Sequence, residues 1–215
     1  MNCKGVIFDL DGTLIDTLED LTASMNDALV KLGCPRRNRE ECRRMIGNGL
    51  AKFAERALPE NRKDQRDELM KTMVSHYQQH CLVQAVPYER IQHVVQTLGN
   101  KGIRIAVLTN KNQKPAEAIV NYFWNKGVFD PVVGVCDGRK VKPDPESTLD
   151  ILKQWKLTAS EVIFIGDSEV DIQTANAAGV ACVGCEWGFR DKKQLLAAGA
   201  KNLIQKPIQI LDFFD

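Results

Sequence analysis

The chain has 215 residues, of which 44% are hydrophobic and 27% charged, and its formal net charge is +1. This balance is typical of a globular protein and excludes a disordered one, and the length suits one large domain or one domain that carries a smaller insertion. The near-neutral charge gives no indication of a nucleic-acid partner, and no apolar run approaches the ~18 residues that would span a bilayer. We therefore expect neither a nucleic-acid nor a membrane partner.

Cysteine usage predicts the compartment. The seven cysteines are an odd number, they are scattered along the chain, and the N-terminal residues enter a strand-like segment without an export signal. We therefore predict reduced thiols in a cytoplasmic protein. Cys182 and Cys185 have the C-x-x-C spacing, but no second such pair exists. We interpret both as small apolar residues of a buried strand.

The first predicted element is a strand over residues 4–10. Its continuous apolar run, Val6-Ile7-Phe8, is typical of a parallel strand that is covered on both faces. The turn Asp11-Gly12-Thr13 ends it. Apolar residues then recur at three- and four-residue steps, which predicts helices over 17–32, 39–45, 50–58 and 64–81. This helical stretch predicts an inserted domain over residues 16–82.

Strands and helices alternate in the rest of the chain. The predicted strands are 103–109, 131–135, 162–165, 181–184 and 203–204. The predicted helices are 91–99, 115–124, 145–155, 170–178, 192–198 and 207–214. Strands separated by single helices predict right-handed βαβ units and a parallel sheet, so residues 1–15 and 83–215 are predicted to form an α/β core.

Polar side chains stand at the ends of three predicted strands and at the start of one helix. They are Asp9 and Asp11, Thr109 and Asn110, Asp167 with Asp171 four residues on, and Lys142 before a Pro-Asp-Pro turn. Ligands of open parallel sheets bind beyond the carboxyl ends of the strands, so we expect these groups to converge at one edge.

This set of residues is typical of phosphoryl transfer with Mg²⁺, which prefers a few carboxylate oxygens and completes its shell with water and phosphate. Asp9 and Asp167 are the candidate carboxylate ligands. Asp9 is also a candidate nucleophile, since aspartate forms phosphoenzyme intermediates, and Asp11 is a candidate proton carrier.

The side chains of Thr109, Asn110 and Lys142 are candidates to hold the phosphoryl oxygens. Taken singly, each candidate residue also has a structural interpretation as a turn residue, a helix cap or a solvated lysine. The interpretation as a site depends on their joint occurrence.

Four segments resemble the motifs of the haloacid dehalogenase superfamily, in that family's order. They are Phe8-Asp9-Leu10-Asp11-Gly12-Thr13, Leu108-Thr109-Asn110, Lys142 in Val-Lys-Pro-Asp-Pro, and Gly166-Asp167-Ser168-Glu169-Val170-Asp171. The resemblance implies a Rossmann-like parallel sheet with helices on both faces and an inserted helical cap. It implies that Asp9 is the nucleophile and a Mg²⁺ ligand, and that Asp167 is a further ligand.

The same resemblance gives Asp11 the acid–base role together with a metal contact through its backbone carbonyl, and it places Asp171 in support of the metal site. Dehalogenases of the superfamily lack an acid two residues after the nucleophile, so Asp11 favours a phosphatase or a phosphomutase. Residues 45–50, with Gly47, Asn48 and Gly49, resemble the cap loop of phosphoglycolate phosphatases, and so does Thr109-Asn110-Lys111. The implied substrate is a small phosphorylated metabolite, with 2-phosphoglycolate as the leading candidate.

Some alternatives stay open at this point. A β-phosphoglucomutase-like phosphomutase or a pyrophosphatase would share the same core, whereas a non-catalytic binding protein would be expected to have lost a catalytic position. The loop 47–49 also has an interpretation as an ordinary helix–helix turn. The segments Val86-Pro87-Tyr88-Glu89 and 185–190 depart from the family pattern. The oligomeric state cannot be read from this sequence.

Overall fold

The computed structural model describes residues 3–214. The strands, numbered in chain order, are β1 (Gly5–Phe8), β2 (Ile15–Asp16), β3 (Val86–Pro87), β4 (Arg104–Asn112), β5 (Val132–Val135), β6 (Val162–Gly166), β7 (Ala181–Cys185) and β8 (Asn202–Ile204). The α-helices are α1 (Leu18–Lys31), α2 (Arg39–Met45), α3 (Leu50–Ala57), α4 (Arg66–His80), α5 (Ile91–Asn100), α6 (Gln113–Phe123), α7 (Glu146–Trp155), α8 (Glu169–Ala177) and α9 (Lys192–Ala197). Three 3₁₀ helices cover Glu60–Gln65, Ala159–Glu161 and Pro207–Phe213.

The described chain divides into two compact units. The first unit contains residues 3–15 and Pro87 onward, and the second contains Asp16–Val86. The first holds a six-stranded sheet in the order β5-β4-β1-β6-β7-β8, in which every neighbouring pair is parallel. The predicted α/β class, with a parallel sheet and an inserted helical domain, is confirmed.

The sheet is covered on both faces. Ile7, Ala106 and Leu108 pack into a cluster with buried residues of α7 and α8. Side chains alternate between the faces of a strand, so Val6 and Ile105 point the other way, and both are also buried. Burial on both faces explains why β1 and β6 consist of continuous apolar runs.

The strand order makes the carboxyl end of β1 a topological switch point of the sheet. After β1 the chain builds β4 and β5 on one side, and it then crosses to β6 on the other side. Neighbouring connections therefore leave β1 in opposite directions, and ligands of open α/β sheets bind at such a point beyond the carboxyl ends of the strands. Asp9 follows β1 directly at this place.

Three differences from the predicted elements concern β4, the C-terminus and two short strands. β4 extends to Asn112 rather than ending at residue 109, because its pairing with β5 is irregular between Leu108 and Asn112 and then resumes. Thr109 and Asn110 consequently lie inside the strand. The C-terminal segment is a 3₁₀ helix, Pro207–Phe213, where an α-helix was expected. The short strands β2 and β3, which the sequence did not indicate, form a separate two-stranded sheet.

The second unit is helical and has its own core. Its interior is built mainly from one face of α1 and one face of α4, with α3 beside α4. Met25 and Leu29 of α1 and Leu69 and Met73 of α4 are almost fully buried. Their three- and four-residue spacing is the periodicity of an amphipathic helix. Within residues 3–214, no helix combines the length and the apolar character that crossing a bilayer requires.

Asp20 gives the first testable prediction, which concerns this second unit. Its buried carboxylate accepts hydrogen bonds from the backbone N–H groups of Gln84, at 2.9 Å, and Ala85, at 3.0 Å. Asp20→Ala removes both acceptors, so we expect the free energy of unfolding to fall by about 2–3 kcal/mol. Urea unfolding followed by circular dichroism measures this change.

Asp27→Ala is the matched control on the same helix, because Asp27 forms a partly exposed ion pair with Lys31. Such a pair contributes about 0.5 kcal/mol or less. Equal losses in the two variants would contradict the role assigned to Asp20.

Candidate active site

Asp9 stands at the end of the central strand and is joined to a lysine. Its backbone N–H donates to the carbonyl oxygen of Ile165 at 2.9 Å, which continues the pairing of β1 with β6. Its side chain is buried, and Oδ1 accepts a hydrogen bond from Nζ of Lys142 at 2.8 Å. The strand therefore fixes the position of the backbone, and Lys142 fixes one carboxylate oxygen.

Lys142 also binds Asp171. Its Nζ donates to Oδ1 of Asp171 at 2.5 Å, and Oδ2 of Asp171 accepts from the backbone N–H and the hydroxyl of Ser168 at 3.0 and 2.6 Å. Ser168 is the N-cap residue of α8, so Asp171 closes a capping box in the first turn of that helix. Both oxygens of Asp171 are thus engaged by protein groups, and this arrangement orients Lys142.

Asp167 follows β6, and its carboxylate is held by Thr13 and Phe189. Its Oδ1 accepts from the hydroxyl of Thr13 at 3.2 Å, and its Oδ2 accepts from the backbone N–H of Phe189 at 2.6 Å. The residue is 1% exposed. One carboxylate oxygen of each of Asp9, Asp167 and Asp171 lies within 4.8 Å of the others. The structure therefore brings three predicted acids into one buried cluster.

The cluster carries more negative charge than its surroundings balance. Burial raises the pKa of Asp9 to about 7, although Lys142 lowers it, and burial also raises the pKa of Asp167 well above its usual range, with Asp9 and Asp171 adding to the effect. Burial works to lower the pKa of Lys142, but Asp171 and Asp9 outweigh it and raise that pKa. A group of hard oxygen donors with excess negative charge suits a divalent cation such as Mg²⁺.

Asn110 and Thr109 act within the same network. The side-chain amide of Asn110 forms two hydrogen bonds with the backbone of Lys142, donating to its carbonyl oxygen at 3.0 Å and accepting from its N–H at 2.8 Å. Asn110 was predicted to contact substrate, and the structure places its amide against the segment that carries Lys142. Thr109 is buried, and its hydroxyl accepts from the backbone N–H of Lys111 at 3.2 Å.

Asp11 is held by Lys111, a partner that the sequence analysis did not assign to the site. Nζ of Lys111 donates to Oδ1 of Asp11 at 2.7 Å, and the two side chains are only 5% and 14% exposed. Repulsion from the carboxylate of Asp11 also contributes a little to the raised pKa of Asp9. The sequence feature that could have assigned Lys111 to the site is its position, two residues after Thr109 at the end of a strand.

The segment after β7, which departs from the family pattern, reaches the same turn. The indole N–H of Trp187 donates to the carbonyl oxygen of Thr13 at 3.1 Å, and Phe189 supplies the N–H that binds Asp167. Nε of Arg190 donates to Glu169 at 2.9 Å. These contacts use backbone atoms and side chains that are remote in sequence, so composition and spacing gave no indication of them.

Two glycines allow the turn and Asp167 to approach each other. A Cβ atom at Gly12, where φ is +92°, would overlap the carboxylate of Asp167. A Cβ atom at Gly188 would overlap Cβ of Asp167 and the carbonyl oxygen of Gly12. Only residues without a side chain fit at these two places.

The predicted cap residues lie in the second unit. Gly47 and Gly49, with φ of 120° and 83°, flank Asn48 between α2 and α3, and Gly49 is the N-cap residue of α3. Oδ1 of Asn48 is buried and has no hydrogen-bond partner among residues 3–214. Their role as substrate contacts stays a prediction.

Comparison with known proteins identifies the family of this chain. The model of the haloacid dehalogenase-like hydrolase family matches residues 6–185. A phosphoglycolate phosphatase of Pseudomonas savastanoi pv. phaseolicola is 33% identical over 194 residues, which cover 86% of this chain and 70% of the relative. Another phosphoglycolate phosphatase, from Pseudomonas putida, is 32% identical over 206 residues, covering 93% of this chain and 75% of the relative.

Among solved structures, a proposed phosphoglycolate phosphatase from Lactobacillus delbrueckii subsp. bulgaricus superimposes with a TM-score of 0.93. It is 26% identical, and the match covers 100% of this chain and 99% of that chain. The resemblance drawn from the four sequence motifs is confirmed.

Gly12→Ala tests the packing of the turn against Asp167. Gly102→Ala is the control, because Gly102 also has a positive φ, of 74°, but a Cβ atom there would meet nothing within 4 Å. Both variants carry the backbone strain of about 1–2 kcal/mol, and Gly12→Ala should cost about 1–3 kcal/mol more because of the overlap. Urea unfolding measures both, and equal costs would mean that the turn has room for a side chain.

Proposed function

We propose that this chain, which belongs to the haloacid dehalogenase-like hydrolase family, is a Mg²⁺-dependent phosphatase of a small phosphorylated metabolite, with 2-phosphoglycolate as the first candidate. The observation that carries the proposal is the buried cluster in which Lys142 joins Asp9 and Asp171 beside Asp167. Asp11 lies two residues beyond Asp9, where a proton carrier is needed.

In the first step, a carboxylate oxygen of Asp9 attacks phosphorus. A phosphorus–oxygen bond forms, and the bond from phosphorus to the ester oxygen breaks as Asp11 donates a proton to that oxygen. The alcohol leaves, and an aspartyl-phosphate remains on Asp9.

In the second step, water attacks the phosphorus of the aspartyl-phosphate. Asp11, now ionised, takes the proton from the water, the bond between Asp9 and phosphorus breaks, and inorganic phosphate leaves. The ammonium of Lys142 stabilises negative charge on the phosphoryl oxygens in both steps, and the buried hydroxyl of Thr109 is the candidate for a further hydrogen bond.

Asp9 and Asp167 are the residues that would hold Mg²⁺, together with the backbone carbonyl of Asp11. When bound, the ion supplies positive charge that neutralises the phosphoryl oxygens. Both oxygens of Asp171 already accept hydrogen bonds from Lys142 and Ser168. This supports a role for Asp171 in orienting the site, with any contact to the ion made through water.

The substrate proposal comes from the relatives. Two phosphoglycolate phosphatases at 32–33% identity cover most of this chain. In the second unit, the proposed substrate contacts are Gly47, Asn48 and Gly49. Oδ1 of Asn48 is buried and has no hydrogen-bond partner among the described residues, which supports a polar ligand there.

The seven cysteines are all free thiols, which supports the proposed cytoplasmic location.

The experiment that tests the function is a phosphate-release screen of small phosphate monoesters, with Mg²⁺ and with a chelator. We expect 2-phosphoglycolate to be hydrolysed only with Mg²⁺, and Asp9→Asn to lower kcat by at least about 10³-fold because an amide is not a nucleophile. Asp150→Asn, an exposed position on α7, is the control. Full turnover in Asp9→Asn would refute the nucleophile, and no release from any ester would refute the phosphatase.

Asp167→Asn tests the proposed ion site without relying on activity. An acid whose pKa is raised in the folded state destabilises the fold when it is ionised, and this cost decreases as the pH falls from the folded-state pKa toward the unfolded-state pKa. In chelator at pH 7.5, Asp167→Asn should therefore melt about 2–4 °C higher than the wild type, with a smaller gain at lower pH. Differential scanning calorimetry measures the melting temperatures.

Adding Mg²⁺ should reverse the order of the two proteins, because the wild type gains a bound cation and the variant does not. Asp150→Asn should respond to Mg²⁺ as the wild type does. An equal rise in melting temperature for Asp167→Asn and the wild type would exclude Asp167 as a ligand.

A further inference from the structure

An ion pair that the proposed mechanism does not use joins the two chain segments that meet at Asp167. Nε of Arg190 donates to Oε2 of Glu169 at 2.9 Å, and the two side chains are 6% and 33% exposed. Glu169 is the first residue of α8, two residues after Asp167. Arg190 directly follows Phe189, whose backbone N–H binds the carboxylate of Asp167. The pair therefore connects the segment that carries the acid to the segment that supplies its hydrogen-bond donor.

The segment 187–190 is held against the site at both of its ends. At its start, the indole N–H of Trp187 donates to a carbonyl oxygen of the turn after β1 at 3.1 Å. At its end, Arg190 forms the ion pair with the first turn of α8. The N–H of Phe189 lies between these two contacts and donates to Oδ2 of Asp167 at 2.6 Å. The direction of this donor depends on both ends of the segment.

We propose that Arg190 and Glu169 are positioning residues for the Mg²⁺ ligand Asp167, and that their ion pair sets the affinity of the site for the ion. The pair keeps the N–H of Phe189 in place, and this N–H keeps the carboxylate in one orientation. Groups that orient metal ligands in this way typically change metal affinity by about 10–100-fold when they are removed. The inference rests on the proposed function, in which Asp167 holds the ion.

A direct effect of charge makes a different prediction. Burial raises the pKa of Asp167, and the positive charge of Arg190 opposes this by lowering it. If the two residues acted on the ion by charge alone, loss of Arg190 would remove a repulsion and tighten Mg²⁺ binding, whereas loss of Glu169 would weaken it. If the pair orients the carboxylate, either loss weakens binding. The sign of the effect at Arg190 therefore separates the two roles.

Calorimetric titration of Mg²⁺ into the protein measures this sign without turnover. Arg190→Met and Glu169→Gln should each raise the dissociation constant of Mg²⁺ about 10-fold. The double variant should bind Mg²⁺ about as weakly as either single variant, because the ion pair is lost only once. Tighter binding in Arg190→Met, or unchanged binding in either single variant, would overturn the inference.

The ion pair of Lys4 with Glu161 provides the matched control. It has a similar length, 2.7 Å, but it connects the residue before β1 to the 3₁₀ helix before β6, at the amino end of the sheet. Lys4→Met and Glu161→Gln should leave the dissociation constant of Mg²⁺ within about 2-fold of the wild type, because exposed charges remote from the site are screened. A loss of affinity equal to that in Arg190→Met would show that removing any ion pair has this effect, and the inference would fail.

Conservative variants keep the test decisive if Arg190→Met does not fold. Arg190→Lys retains the charge without the forked guanidinium, and Glu169→Asp retains the charge on a shorter side chain. The orienting role predicts that both bind Mg²⁺ more weakly than the wild type, with Arg190→Lys between the wild type and Arg190→Met. Unchanged Mg²⁺ binding in both conservative variants would refute the orienting role.

The same titrations distinguish failure of this inference from failure of the proposed function. If the wild type binds Mg²⁺, Asp167→Asn does not, and the variants of the pair match the wild type, only the inference fails. If the wild type binds no Mg²⁺, both fail. At saturating Mg²⁺, kcat of Arg190→Met for phosphate release should return to within about 3-fold of the wild type, because the pair acts on the affinity for the ion. A fall in kcat that saturating Mg²⁺ does not reverse would contradict this assignment.

Discussion

The ion pairs of Lys142 with Asp9 and Asp171 are the constraint around which the first unit is arranged. All three side chains are buried. Nζ of Lys142 lies 2.8 Å from Oδ1 of Asp9 and 2.5 Å from Oδ1 of Asp171. Removing one partner of such a group would leave an uncompensated buried charge, which costs several kcal/mol. The loop that carries Lys142 must therefore be held accurately, and the amide of Asn110 does this through two hydrogen bonds to the backbone of Lys142.

Lys142 alone does not balance the charge of the three carboxylates in the cluster. Three carboxylates meet one ammonium in the cluster, and the pKa of Asp9 and that of Asp167 are both raised by burial. Asp167 is kept in place by the hydroxyl of Thr13 and the N–H of Phe189, and two glycines make room for it. The fold thus gives up stability to keep these acids together, and raised pKa values of this kind are concentrated at functional sites.

The acids were predictable from sequence because each follows a buried strand, and parallel strands bring their carboxyl ends to one edge. Lys142 was predictable only through its joint occurrence with the other candidate residues, since a loop lysine taken singly has many structural roles. The contacts of Trp187, Gly188 and Phe189 were not predictable, because they involve backbone atoms or depend on the absence of a side chain. The end of β4 was placed too early, since Thr109-Asn110-Lys111 is polar and yet continues the strand through an irregular pairing.

Three consecutive residues at the polar end of β4 have different partners. Alternation along a strand sends Thr109 and Lys111 to one side and Asn110 to the other. Asn110 accordingly fixes the loop of Lys142, while Lys111 reaches Asp11 and its N–H binds the hydroxyl of Thr109. One lysine of the site therefore binds Asp9, and the other binds Asp11.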